Sequence, residues 1–341
     1  MPATVAPSAL SAQVEINARD AQIRFGGRLH SQFATSSADG GKVTDFFTRR
    51  ARLTIDVRVT PLLDARVQPD FGGGKLDLKD AYFRLNFDRA FRLSMGQFKR
   101  AFDIFQLDSS TDIVVVERTG RIDGVDGCAG PGGVCTLSRF TEKLGYSDRD
   151  IGVRVDGSLG ERVSYMATLT NGTGTSGADE NSVKSVAARL SLGLTDEITL
   201  SGNVSTHDYL DGKTQTAAAY GMDLEIGGFR SDTHLQLGFV SGKNWLIERS
   251  RRGVPRFLTW QGIASHYVAL EEYRLVGIEP LARVSWGDPD RGAPADTGMV
   301  VTPGLFLYVK GKNRIGVNLD IYDHGPDSMQ YSFKLQTYLY Y

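Results

Sequence analysis

FFTRRARLTIDVRV, residues 46–59, is the stretch from which the fold can be worked out. From Arg50 onward, polar residues take every second position (Arg50, Arg52, Thr54, Asp56, Arg58), and Ala51, Leu53, Ile55, Val57 and Val59 lie between them. A β-strand turns successive side chains to opposite faces. The segment therefore has one greasy wall and one wall studded with guanidinium groups. The fold follows from which wall meets water.

Composition limits the answer. The 341 residues carry 39 Lys and Arg against 40 Asp and Glu, a formal charge of −1, so no bulk attraction draws the chain to nucleic acid. An apolar fraction of 41%, with 39 Gly, 13 Tyr and 17 Phe, tilts the reading toward twisted strands and turns. The longest greasy runs, such as IVVV at 113–116, fall far short of the roughly eighteen apolar residues a membrane helix needs. Residues 1–20, starting MPATVAPSALSAQVEI, read equally as the remnant of a processed signal or as a plain tail. Cys128 and Cys135 lie in GCAGPGGVC, a spacing that suits a local disulfide formed in an oxidising compartment. Metal binding is the weaker reading of that pair, and no cofactor or metal is expected.

Sixteen strand-like segments run from 21–35 and 46–59 through to 313–323 and 329–341, most of them 9–13 residues long. Their connections alternate in length. Short turns are expected at 60–62, 88–90, 160–162, 195–197 and 311–313. Longer loops are expected at 36–45, 72–77, 101–149, 172–181, 209–215, 242–261, 288–298 and 324–328. That rhythm predicts an all-β fold over 21–341: a sixteen-stranded antiparallel transmembrane β-barrel with long loops at one rim and short turns at the other. Closure is required because each orphan backbone group at an open edge in lipid costs several kcal/mol.

The polarity of the faces follows from the same costs. Lys or Arg on the lipid face at mid-depth costs about 2–4 kcal/mol. Arg50, Arg52, Arg58, Arg66, Arg84, Arg92, Arg154 and Arg189 all take the inward register and are the pore-lining candidates, together with Asp56, Asp70, Asp80 and Asp156. A barrel this wide holds water inside, and water and opposite charges together solvate these side chains without special pairing.

At FFTRRARLTIDVRV, ARVQPDFGGGKLDLKDAYF, LSMGQFKRAFDIFQLDSSTDIVVVERT and SDRDIGVRVDG the chain resembles the phosphate-selective porin O/P family of bacterial outer-membrane proteins. The resemblance implies a trimeric outer-membrane barrel that conducts small solutes and whose third long loop folds into the lumen. On this chain that loop is 101–149. Lys99, Arg100, Asp108, Glu117 and Arg118 are the constriction candidates in the matching stretch. Position 101 is Ala and 102 is Phe where the family often has two prolines, and Asp103, Asp108, Asp112 and Glu117 make the loop more acidic than a phosphate filter suggests.

The function expected is passive diffusion of small hydrophilic solutes with a modest preference for anions, phosphate among the candidates. Arg on the wall would face Asp or Glu from the loop across the narrowest point. Outer-membrane lipid and two further copies of the chain are the expected partners, without nucleic acid. Two other classes compete: a barrel with a plugged lumen in a structural or adhesion role, and an outer-membrane hydrolase. The hydrolase is disfavoured because His30, His207, His234, His266 and His324 are scattered and neither GxSxG nor HExxH occurs.

Overall fold

The computed structural model describes residues 14–18, 21–37, 43–118, 136–175, 179, 181–211, 213–247, 253–271, 274–293, 297–323 and 329–341. The cysteine pair Cys128 and Cys135, with its expected disulfide, lies outside the described residues, as does His324. No helix among the described residues is long and apolar enough to cross a membrane.

Sixteen strands form one antiparallel ring. In chain order the first eight are β1 Ala21–Ser36, β2 Val43–Arg58, β3 Leu63–Asp70, β4 Asp77–Asn86, β5 Arg92–Lys99, β6 Arg149–Leu159, β7 Val163–Thr170 and β8 Ser185–Gly193. The second eight are β9 Ile198–Asp211, β10 Lys213–Ile226, β11 His234–Lys243, β12 Arg256–Ser265, β13 Gly277–Asp288, β14 Gly298–Lys310, β15 Asn313–Asp323 and β16 Met329–Tyr340. Each pairs with the next, and β16 pairs with β1 from Ser332↔Ser36 to Tyr340↔Arg28, which closes the cylinder. β1 starts and β16 ends at the short-turn rim.

That rim holds a feature the tail reading of residues 1–20 did not contain. Val14–Ala18 is a strand paired with β1, from Val14↔Phe25 to Ala18↔Ala21. It takes over the edge of β1 just where Tyr341 ends its own pairing with Gly27, so backbone groups of β1 that extend beyond the last strand are satisfied.

Several connections differ from expectation, among them 242–261, where β12 already starts at Arg256. The loop expected at 209–215 is absent as a loop: β9 and β10 continue as a hairpin to Asp211↔Lys213. Two of the short-rim links, 227–233 and 266–276, are longer than a tight turn.

Alternation is clear on the outer face, where Phe83, Phe91, Met95, Leu169, Leu190, Met222, Phe239 and Leu335 are exposed. It breaks at two places. At β2 the register jumps from His30↔Arg50 to Ser31↔Thr48, leaving Arg49 as an inserted residue. At β5, Gly96 adopts φ 133, and a Cβ there would collide with the Ala81 carbonyl oxygen. Beyond it Gln97 and Phe98 are both buried.

The inner face is not uniformly wet. Val240, Phe257, Ile263, Leu281, Phe306, Tyr308 and Tyr338 point inward from β11 to β16 and are buried in one apolar cluster with loop residues Phe102, Ile104, Phe105, Val114, Val115, Val116, Leu137, Leu144 and Tyr146. Each such side chain contributes about 1.5–3 kcal/mol on burial. The loop between β5 and β6 thus lies inside the barrel and fills the β9–β16 side.

Candidate functional site

The site is built by the way this loop is fastened. Arg100 is buried and donates to the carbonyls of Gly145, Val186 and Thr206 and to the Ser205 hydroxyl, at 3.1 Å for the last. Asp103, at φ 66, caps the short helix α1 (Ile104–Leu107) by accepting from Phe105 N at 3.0 Å. Its other oxygen accepts from Thr141 at 2.8 Å, in helix α2 (Leu137–Lys143). Farther on, Arg283 of β13 donates to the carbonyls of Glu117 (2.8 Å) and Arg118 (3.1 Å). Arg314 of β15 donates to those of Thr111 (3.0 Å) and Ile113 (2.8 Å). Asn318 accepts from Val116 N. Every one of these bonds spans loop and wall or joins two parts of the loop.

Burial pushes the Asp103 carboxyl up to about 7, against the lowering effect of its Thr141 and Phe105 bonds. A folded-state value above the ordinary one of 3.8 gives stability that is complete below 3.8 and lost as pH rises through about 7. Asp103→Asn keeps the capping acceptor and removes the charge. Thermal stability of the wild-type barrel is expected to fall between pH 5 and pH 8, and that of the variant to stay level over the same range. Parallel melting curves at both pH values for both proteins would refute the assignment.

On the other side, toward β1–β7, space remains. A cavity of about 230 Å³ is lined by Arg28, Arg52, Arg66, Lys99, Arg118, Arg149 and Arg154 with one acid, Asp80, and by Tyr82, Phe98, Leu107, Ser110 and Met166 among others. Below it, near the short turns, a second cavity of about 270 Å³ shares Arg66 and Tyr82 and adds Arg24, Arg58 and Arg84 with Asp56 and Asp64. Above it, under the long loops, a third of about 190 Å³ shares Arg149 and is bordered by Glu142, Asp148 and Asp150.

Most of the sequence-predicted arginines have specific acid partners, where the sequence alone predicts solvation by water and opposite charges in general. Arg52 binds Asp70 at 2.6 Å, Arg66 binds Asp56 at 2.7 Å, Arg154 binds Asp156 at 3.1 Å, and Arg92 shares that same Asp156. Arg189 grips Asp223 with two nitrogens, outside the lining of the three cavities. Arg84 bonds Tyr82 at 3.0 Å and Ser94 at 3.3 Å. Arg58 is exposed beside the lower cavity. Arg50 is buried against Glu117 and His30.

The loop carboxylates also differ from expectation, because neither turns toward the opening. Glu117 is buried and accepts from Arg49 at 2.6 and 3.1 Å. Burial would raise its carboxyl, but Arg49 and Arg50 outweigh that and hold it at about 2. Asp108 is bound by Gln236 at 2.8 Å on the packed side. What the loop does present to the cavity is Arg118, which burial pulls down to about 10. Arg100, anchored as described, lines only the upper cavity.

Among the described residues, three cations on the main cavity hydrogen-bond to neutral oxygens and to no carboxylate. Arg28 donates to the Ser110 hydroxyl, Lys99 to the carbonyls of Leu107 (3.1 Å) and Asp108 (2.6 Å), and Arg118 to the Asp108 carbonyl (2.7 Å). Of these, Arg28 was missed in the sequence although its parity with His30 was readable. Arg49 was missed as well. Its signal is the Arg49–Arg50 doublet, which cannot obey a period of two. Lys99 and Arg149, paired across β5 and β6, line the cavity from positions that strict alternation would turn outward.

The histidines do not converge. His30 sits against Tyr338, His207 is stacked on Trp245, and His234 contacts Glu225 at 3.2 Å. Among the described residues, no group of three or more His, Cys, Asp or Glu side chains could hold a metal ion.

A family model for the phosphate-selective porins O and P matches residues 23–208. No curated protein sequence gives a match. Among solved structures, the outer membrane channel DcaP of Acinetobacter baumannii aligns at TM-score 0.65 and 11% identity, over 96% of this chain and 99% of its own. OmpF of Salmonella typhi aligns at 0.62 and 12%, over 96% and 100%. An anion-selective porin from Comamonas acidovorans aligns at 0.67 and 8%, over 94% and 100%. At such identities these likenesses concern the fold.

Proposed function

The chain belongs to the phosphate-selective porin O and P family and is an outer-membrane channel, and from that premise we propose that small hydrophilic anions, phosphate among them, cross it along the β1–β7 wall. The observation that carries this reading is the excess of positive charge on the main cavity. Ion pairs such as Arg66–Asp56 cancel at a distance, whereas Arg28, Lys99 and Arg118 form no ion pair among the described residues. Low-dielectric walls focus the field of such charges onto a passing ion. The three cavities share lining residues in sequence from rim to rim, which supports one continuous route.

No covalent step belongs to this mechanism. An anion exchanges part of its hydration for guanidinium and ammonium donors, and the acids of the ion pairs hold the wall arginines in place. The acidic border of the upper cavity (Glu142, Asp148, Asp150) opposes the approach of anions from that side and keeps the preference moderate. We further propose that three copies assemble, as the family resemblance implies.

Purified protein in planar bilayers tests the reading. Stepwise ion currents with a reversal potential on the anion side are expected in a KCl gradient. Membranes that stay silent would overturn the channel route and favour the plugged barrel. Hydrolysis of a simple ester by the detergent-solubilised protein would bring back the enzyme reading. Native mass spectrometry tests the trimer, and a monomer as the only folded species would reject it.

A further inference from the structure

On the outer face, β11 and β12 bring two cations into a direct cross-strand pair, Lys243↔Arg256. Both side chains are exposed, and both take the outward register, since the alternating inward positions of these strands are buried. Like charges placed directly opposite each other on a sheet repel. Among the described residues neither side chain has an ion-pair or hydrogen-bond partner. By register the acid Asp288 lies one diagonal step from Arg256.

Depth says what surrounds them. Going down the same outward rows come Ser241 and Leu258, then the aromatic row Phe239, Trp260 and Trp286, then Leu237 and Leu235. Eight residue steps separate Leu235 from Lys243, which at the rise and tilt of barrel strands is roughly 20 Å, close to the apolar band of about 25 Å. Aromatic rows mark the membrane interface, so the cation pair stands at the headgroups of the leaflet on the long-loop side.

We propose that Lys243 and Arg256 form a docking site for the phosphate of an anionic lipid in the outer leaflet. Two cations side by side match one phosphate bearing several acceptor oxygens, and the acyl chains of that lipid would lie along Phe239, Trp260 and Trp286. Binding relieves the repulsion within the pair. The site is separate from the conducting route.

The flanking indoles supply the readout. Protein is reconstituted in phosphatidylcholine vesicles containing increasing fractions of brominated phosphatidylglycerol or, as reference, brominated phosphatidylcholine, and tryptophan quenching is followed. Each basic residue at such a surface favours an anionic lipid by about fivefold. The wild type is expected to reach half-quenching at a several-fold lower fraction of phosphatidylglycerol than of phosphatidylcholine. Lys243→Gln/Arg256→Gln should equalise the two, while Lys243→Arg/Arg256→Lys keeps the preference. Bilayer conductance of all variants should match wild type, which reports correct folding. Equal quenching by both lipids in the wild type would overturn the proposal. So would competition by free inorganic phosphate, which would make this a soluble-anion site. Weak quenching by either lipid, with a multimer in native mass spectrometry, would assign the face to a second copy of the chain and overturn it as well.

Discussion

Replacing Arg28, Lys99 and Arg118 together by glutamine is expected to lower the chloride-to-potassium permeability ratio about tenfold, or about 1.4 kcal/mol of selectivity. Among the described residues these three form no ion pair and are bonded to a hydroxyl and to carbonyls. The control is Arg66→Gln with Asp56→Asn. That pair faces the same route, but its two charges at 2.7 Å cancel, so its joint removal should leave reversal potential unchanged. Salt provides a second check, because the screening length falls from about 10 Å at 0.1 M to about 3 Å at 1 M. Wild-type selectivity should therefore weaken strongly over that range, and that of the triple variant little. A triple variant that keeps the wild-type reversal potential would remove these residues from the filter.

The other large effect is expected at Glu117. Its carboxylate is 3% exposed and accepts from Arg49, and Arg50 lies at 3.5 Å. Glu117→Gln leaves two adjacent guanidinium groups facing each other at the bulge. Losing one partner of a buried ion pair costs about 3–5 kcal/mol. The lower figure applies here because Arg49 keeps 35% of its side-chain surface in water.

The predicted result is a lower unfolding temperature and a noisier open channel, since residues 110–118 lose one of their fastenings to the wall. The pH dependence has a definite sign. A carboxyl held at about 2, below the ordinary 4.5, gives stability that is complete above 4.5 and lost as pH falls toward 2. Wild-type channels should stay quiet from pH 7 to pH 5 and become noisy only in stronger acid, with the variant noisy throughout. Equal unfolding temperature and equal noise at pH 7 would show that Arg283, Arg314 and Asn318 hold the loop without Glu117.

The two effects separate what each kind of charge does in this barrel. Paired wall charges fix geometry, and unpaired ones act on the ion. The same distinction explains why a parity rule found most of the arginines but could not rank them. Arg52, Arg66 and Arg154 look identical to Arg28 in a pattern of alternating letters. Only the position of Asp70, Asp56 and Asp156 across the strands tells them apart.

By itself the sequence determined the ring. Alternation of two faces, strand length, and long and short links are local properties, because a strand has a fixed period and lipid does not tolerate an unpaired edge or an outward charge. Even the dry side was partly written there: in LFLYV both Leu305 and Leu307 and their neighbours Phe306 and Tyr308 are apolar, so neither face of β14 is meant for water. The tertiary structure alone decided where the loop lies, which arginines are cancelled, and that Lys99 and Arg149 turn to the cavity. Those outcomes depend on contacts between residues as much as two hundred positions apart, such as Arg314 with the Thr111 carbonyl, and on the register break at Arg49 that reverses parity beyond it. Periodicity carries no information across a bulge, and none about which of several like charges will find its partner.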